Sequence, residues 1–207
     1  MTLEERLAVL EAKYERLESV RAIEHLMGKY LYWLYTQKFD KIVEYCWSKH
    51  AEDVTVEASD SGLFKGQAQV RRFYAPDGVV GTMGSVRGGF TLHMACAPTI
   101  EVAGDGKTAK SVWFSPGCAG DKWIWGTYIV DFIKEEGDWK LWHLNFSPMF
   151  RTKYHKGWME EPVGGSLSSP LQDAPPTRWN PYDKNKMGQE LFHHLPDAPM
   201  PYETYEE

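Results

Sequence analysis

Two periodicities divide this 207-residue chain, and their order limits its fold more than any single motif does. In the first third, apolar residues recur every three to four positions. From about residue 90 to 148 they come in strand-like runs separated by tight-turn sequences. Helices first and antiparallel strands afterwards define an α+β protein, in which one face of a sheet closes over helices made before it.

The helical part opens at once. Thr2 followed by Glu5 is a capping box. Leu3, Leu7, Leu10, Tyr14 and Leu17 then recur at spacings of four, three, four and three. That seam is about two heptads long, too short for a free coiled coil, so it is expected to pack on a neighbouring subunit or on its own sheet. Ile23, Leu26, Met27, Tyr30, Leu31 and Leu34 form a broader stripe facing a core, with Tyr30 at its centre. Tyr32 and Trp33 lie off the stripe, and Tyr35 is read as reaching the rim of whatever Tyr30 faces. A short helix is expected at 39–48.

"DVTVEAS" then alternates as a strand, and "GQAQVRRFYA" reads as a short helix. The Gly-rich run 77–89 is expected to be a loop lining a pocket. Strands follow near 90–102, 108–115, 123–134 and 139–148, with hairpin turns at "AGDGK" and "EEGDW". Pro98 within the first of them implies an edge or a bulge. The expected organisation is a domain over 1–158 and a Pro-rich extended arm over 159–207. A helix is possible at 185–194, and Trp179, Tyr182, Phe192, Tyr202 and Tyr205 are there to pin the arm to a surface.

Composition narrows the function. A net charge of −6 argues against nucleic acid and anionic membranes as partners. No apolar run approaches the ~18 residues of a membrane span, and the charged N-terminus has no signal-peptide core, so the expected location is cytoplasmic. Cys46, Cys96 and Cys118 lack metal-ligand spacing and read as free thiols. No phosphate-loop, dinucleotide or zinc motif is present in the sequence, so no cofactor or metal is expected. Aromatic residues make up 14% of the chain, more than a core needs and suited to a pocket for a flat apolar ligand.

The matching text "RAIEHLMGKY", "AEDVTVE", "FKGQAQVRRFY", "LHMACAPTIEVAGDGKTAKSVWF" and "YIVDFIKEEGDWKLWHL" resembles, in order and spacing, the SnoaL-like branch of the nuclear transport factor 2 (NTF2)-like superfamily over residues 1 to about 155. The pattern is closest to the bile-acid 7α-dehydratase and scytalone dehydratase types. The resemblance implies a cone, a curved antiparallel sheet wrapped around helices. It also implies a cofactor-independent elimination by a helix tyrosine and a strand histidine, positions held here by Tyr30 and His93, and a homo-oligomer, with a trimer favoured. The chain departs from the pattern where Tyr35 replaces a helix aspartate, where a strand aspartate falls at Gly117, where a last-strand arginine falls about Pro148 with Arg151 nearby, and where the steroid-isomerase base falls on Ala58 beside Glu57.

From pattern alone, His93 between Leu92 and Met94 reads first as a core histidine, with a general base as the alternative, and Tyr30 as a core tyrosine or an oxyanion donor. With the resemblance they become catalytic candidates, together with Tyr35. Glu57, Trp113, Trp125, Tyr128, His143 and Asn145 are the substrate-binding candidates; the last two are expected on an interior face. The implied activity is a lyase acting on a hydrophobic aromatic or polycyclic alcohol, by dehydration or a related C–O or C–C cleavage. An isomerase or polyketide cyclase would use the same parts, and a non-catalytic binding or assembly module would need no convergence of Tyr30 and His93.

Overall fold

A computed structural model describes residues 1–58, 61–81, 90–160, 172–178, 183, 185 and 192–205, with only the backbone of Phe90. Helix α1 spans Leu3–Tyr35 without interruption. Its capping box is in place: the Glu5 amide donates to Thr2 Oγ1 at 3.1 Å, and the Thr2 amide to Glu5 Oε2 at 2.7 Å. Ile23, Leu26, Met27, Tyr30 and Leu34 are buried, the stripe that the spacing predicts. A one-turn helix α2 (Phe39–Lys41) runs into a π-helical turn at Ile42–Cys46. Trp33 stacks at a tilt on Tyr45 of that turn, so its partner lies within its own chain.

Strands β1 (Thr55–Ala58) and β2 (Gly62–Lys65) pair as a hairpin, and helix α3 (Gly66–Phe73) follows directly. The remaining strands are β3 (Phe90–His93), β4 (Cys96–Val102), β5 (Thr108–Gly120), β6 (Lys122–Glu135) and β7 (Asp138–Lys153). They form one sheet in the order β2-β1-β7-β6-β5-β3, with β4 also on β5; β1 joins β7 in parallel and the other pairs are antiparallel. The expected strand at 90–102 is two. The break falls at Met94 and Ala95; the irregularity at Pro98 lies within β4, where Pro98 has no amide to donate, Ala97 takes a positive φ of 46°, and the register on β5 slips between Cys96 and Thr99. The β6–β7 turn has Glu136 and Gly137 both at positive φ, the geometry that a two-residue hairpin requires.

Register assigns every sheet side chain to a face. The row Trp113, Tyr128, Phe146, Ala58 looks inward on the helices, as does the row His93, Gly117, Ile124, Arg151. The row Lys110, Asp131, His143, Thr55 looks outward. Described parts of the arm lie on this outer face. Ala174 bridges Leu63 at the β2 edge, and the Thr177 amide and hydroxyl donate to the Glu57 carboxylate at 2.6 and 2.5 Å. Farther on, Tyr202 and Glu203 accept backbone hydrogen bonds from Gly104 and Asp105. The possible helix at 185–194 lies mostly outside the described residues, and residues 192–194 form a turn. Trp179, Tyr182 and loop residues 82–89 also lie outside them.

Candidate active site

A cavity of about 40 Å³ lies between the inner face of the sheet and helices α1 and α3. Tyr30 and Leu34 border it from α1, Phe73 from α3, and His93, Tyr128 and Phe146 from the sheet. Four side chains form its polar spine. His93 Nδ1 lies 3.1 Å from the Tyr128 hydroxyl. Tyr128 meets Tyr30 edge-on, with ring centroids 6.3 Å apart. From the other side the Tyr74 hydroxyl donates to the Tyr30 hydroxyl at 3.2 Å.

The electrostatics follow from burial. No carboxylate touches His93 in any described hydrogen bond or ion pair, and desolvation pushes its pKa down to about 4, so the imidazole is neutral at pH 7. The three phenols are all raised by burial. Tyr74 and Tyr128 lie well above the usual tyrosine range; at Tyr30 burial also raises the phenol, and the hydrogen bond from Tyr74 works against that rise.

Gly117, the position opposite His93, explains one departure from the family pattern. A Cβ there would lie 2.1 Å from the Leu92 carbonyl oxygen, so β3 and β5 approach too closely for an aspartate to stand at that point. Arg151 shares the inward row of His93, and burial lowers its pKa to about 10.

The structure does not bring every sequence candidate to this cavity. Tyr35 is 48% exposed; five helical residues turn it well away from the direction of Tyr30, off the core stripe. Trp125 is 49% exposed and stacks on Phe150 on the outer face, since it stands an odd number of residues from Tyr128. His143 and Asn145 also point outward: a register shift between Asp131 and Phe132 puts Leu141, Leu144 and Phe146 inside instead. His143 is held there by Asp131 and by Tyr205 of the arm. Glu57 borders the cavity, yet its carboxylate is turned to Thr177 and Arg178 of the arm. Trp113 is buried on the inner face beside Tyr128, with its indole N–H donating to Ser111 at 2.7 Å. Tyr74 is the residue that sequence reasoning passed over. It stands just past the C-terminal end of α3, next to Phe73.

An α+β cone with a tyrosine–histidine cavity under a curved sheet defines a class of small enzymes and binding proteins. The particular family is fixed by sequence: residues 15–145 match the model of the SnoaL-like domain, and the chain belongs to that family. No curated protein matches the chain. Among solved structures, a scytalone dehydratase-like protein of Novosphingobium aromaticivorans is 19% identical, with a TM-score of 0.58 over 70% of this chain and 93% of its own. A hexachlorocyclohexane dehydrochlorinase (LinA-type3) of Novosphingobium barchaimii is 17% identical, with a TM-score of 0.57 over 68% and 93%. An NTF2-like protein with a cystatin-like fold, also from N. aromaticivorans, is 17% identical, with a TM-score of 0.53 over 69% and 89%. At these identities the likeness is one of fold. Among the described residues no helix is long and apolar enough to cross a membrane, and no three His, Cys, Asp or Glu side chains gather to hold a metal ion.

Proposed function

We propose that the chain is a lyase that needs no cofactor and removes the elements of water, or a comparable leaving group, from a hydrophobic aromatic or alicyclic substrate activated by a carbonyl. One observation carries this reading: a neutral histidine bonded to Tyr128 and a tyrosine that accepts from Tyr74 border one cavity. The fold neighbours named for dehydratase and dehydrochlorinase activities agree with it in reaction type.

The proposed arrangement gives each residue a role. Tyr74 donates to the Tyr30 oxygen, and in this proposal Tyr128 turns its proton to the same oxygen, which leaves the Tyr30 proton for the cavity. With the Tyr128 proton committed to Tyr30, its oxygen accepts from His93 Nδ1–H, and Nε2 keeps a lone pair. His93 Nε2 then takes the proton from the carbon next to the substrate carbonyl. The carbonyl oxygen gains negative charge and is held by the Tyr30 hydroxyl, an oxyanion donor worth about 3 kcal/mol in comparable sites. The enolate collapses, the C–O bond at the β carbon breaks, and the leaving oxygen takes the proton back from the imidazolium. An unsaturated carbonyl and water result, and no oxidant or reductant enters.

The cavity has room for a water molecule or two. Ligand pockets usually exceed about 300 Å³, so the substrate has to displace lining side chains on entry. Incubating the protein with a panel of aromatic and alicyclic β-hydroxyketones and β-chloroketones in D₂O separates the readings. Growth of enone absorbance, lost in His93→Ala, supports the lyase. Deuterium uptake at the α carbon without elimination supports an isomerase or cyclase, and neither response to any member leaves a binding module.

A further inference from the structure

Helix α1 carries a second apolar stripe that its own chain leaves uncovered. Leu3, Leu7, Leu10, Tyr14 and Leu17 are each more than half exposed. At 3.6 residues per turn they stand on the side of the helix opposite to Ile23, Met27, Tyr30 and Leu34. The core-facing side continues instead through Val9, Ala12, Arg16 and Ser19, which line a groove against the β4–β5 turn, and Arg16 is ion-paired with Glu101 of β4. The exposed stripe therefore points away from the body. The expectation that it packs on its own sheet does not hold for the described residues.

The spacing places Leu3, Leu10 and Leu17 at heptad position d, and Leu7 and Tyr14 at position a. The flanks are sorted by sign. Glu4, Glu11 and Glu18 occupy position e on one side, while Arg6 and Lys13 occupy position g on the other. No ion pair among the described residues engages any of these five charges. In a parallel pair of helices, position g faces position e of the following heptad, so Arg6 meets Glu11 of the partner subunit and Lys13 meets Glu18 of the partner subunit. In an antiparallel pair e faces e and g faces g, which sets glutamate against glutamate and base against base.

We propose that the N-terminal half of α1 is an interface to a second copy of this chain, joined in parallel, with the leucine seam supplying attraction and the sorted charges selecting orientation. A free peptide of this length would not hold a helix in water. Here the C-terminal half of α1 is fixed in the core, so the nucleation cost is met before the seam forms.

Two charge-swapped full-length variants test this: Glu11→Lys with Glu18→Lys, and Arg6→Glu with Lys13→Glu. All four positions lie on the exposed flanks, so melting temperatures are expected to stay within a few degrees. In sedimentation, wild type is expected to self-associate at micromolar concentration. Each variant alone should dissociate at least about tenfold more readily, and an equimolar mixture should recover the assembly. A monomeric wild type, or variants that assemble alone as wild type does, overturns the proposal. Orientation is read from Leu3→Cys in a Cys96→Ala, Cys118→Ala background. Self-crosslinking on oxidation is expected, and its absence while the oligomer persists overturns the parallel arrangement.

Discussion

On the inner face of the sheet the His93 imidazole meets a tyrosine hydroxyl at 3.1 Å; on the outer face His143 meets another at 3.3 Å. The contacts look alike, and their surroundings do not. His143 has carboxylates on both sides, with Asp131 at 3.1 Å and Asp53 at 3.9 Å, and the indole of Trp142 stacked on its ring. Its tyrosine comes from the arm, which Lys110 also grips through the Tyr202 and Tyr205 rings. Among the described residues no carboxylate is hydrogen-bonded or ion-paired to His93, which is packed on Phe146 and Tyr128. A histidine kept neutral by burial, beside a cavity, is equipped to take a proton. One tied to fixed anions beneath a docked arm is equipped to hold that arm.

The largest expected effect breaks the comparison at its base. His93→Ala should lower turnover by about 10²-fold or more, the usual scale for a general base, whereas His143→Ala should change it by less than about threefold. Turnover of the two variants on one substrate, with folding checked by circular dichroism, decides this; equal losses would erase the distinction drawn between the faces. Tyr30→Phe comes next. It removes one oxyanion donor and should cost on the order of 10²-fold in kcat. Tyr74→Phe, one hydrogen bond farther from the cavity, should cost about tenfold or less. A Tyr74 effect larger than that of Tyr30 would reverse the order of the phenols.

Stability against pH sharpens the contrast. His93 has a folded pKa of about 4 against an ordinary value of 6.5. Between these values the unfolded chain binds the proton that the folded chain refuses. The stabilisation is therefore complete above pH 6.5 and is lost progressively as the pH falls toward 4, a difference on the order of 3 kcal/mol. Urea melts of wild type at pH 7 and pH 4.5 should show a loss that His93→Phe reduces. The smallest effect belongs to the outer face. Thr177→Val removes a hydroxyl from the Glu57 carboxylate and should cost roughly 1–3 kcal/mol in a urea melt, with turnover unchanged within about threefold.

The helical stripe of α1, the hairpin turns and the long strands were legible in the sequence because each is a local pattern with a fixed period. Tyr30 and His93 were legible because the SnoaL-like resemblance named their positions. The rest depended on register. Whether His143 and Asn145 face in or out is settled by the shift in the β6–β7 pairing between Asp131 and Phe132, which no alternation rule carries across; Trp125 faces out by plain alternation, three residues from Tyr128. Tyr35 failed on simple helical angle. Tyr74 could not be found without the fold, because its hydroxyl acts through Tyr30 and α3 is far from α1 in sequence. The arm was read as pinned by aromatics, and Tyr202 and Tyr205 do this; that it would press on the outer face and claim Glu57 was not written in its composition.

The central claim is that His93 stands neutral, with its proton on Nδ1 toward Tyr128 and a free lone pair at Nε2 toward the cavity. Long-range ¹H–¹⁵N correlation spectra of the imidazoles, with the His93 signals identified by their loss in His93→Asn, read tautomer and titration together. The account predicts the Nδ1–H tautomer at pH 7, titrating near pH 4. An Nε2–H tautomer, or a midpoint at the ordinary value near 6.5, would contradict it.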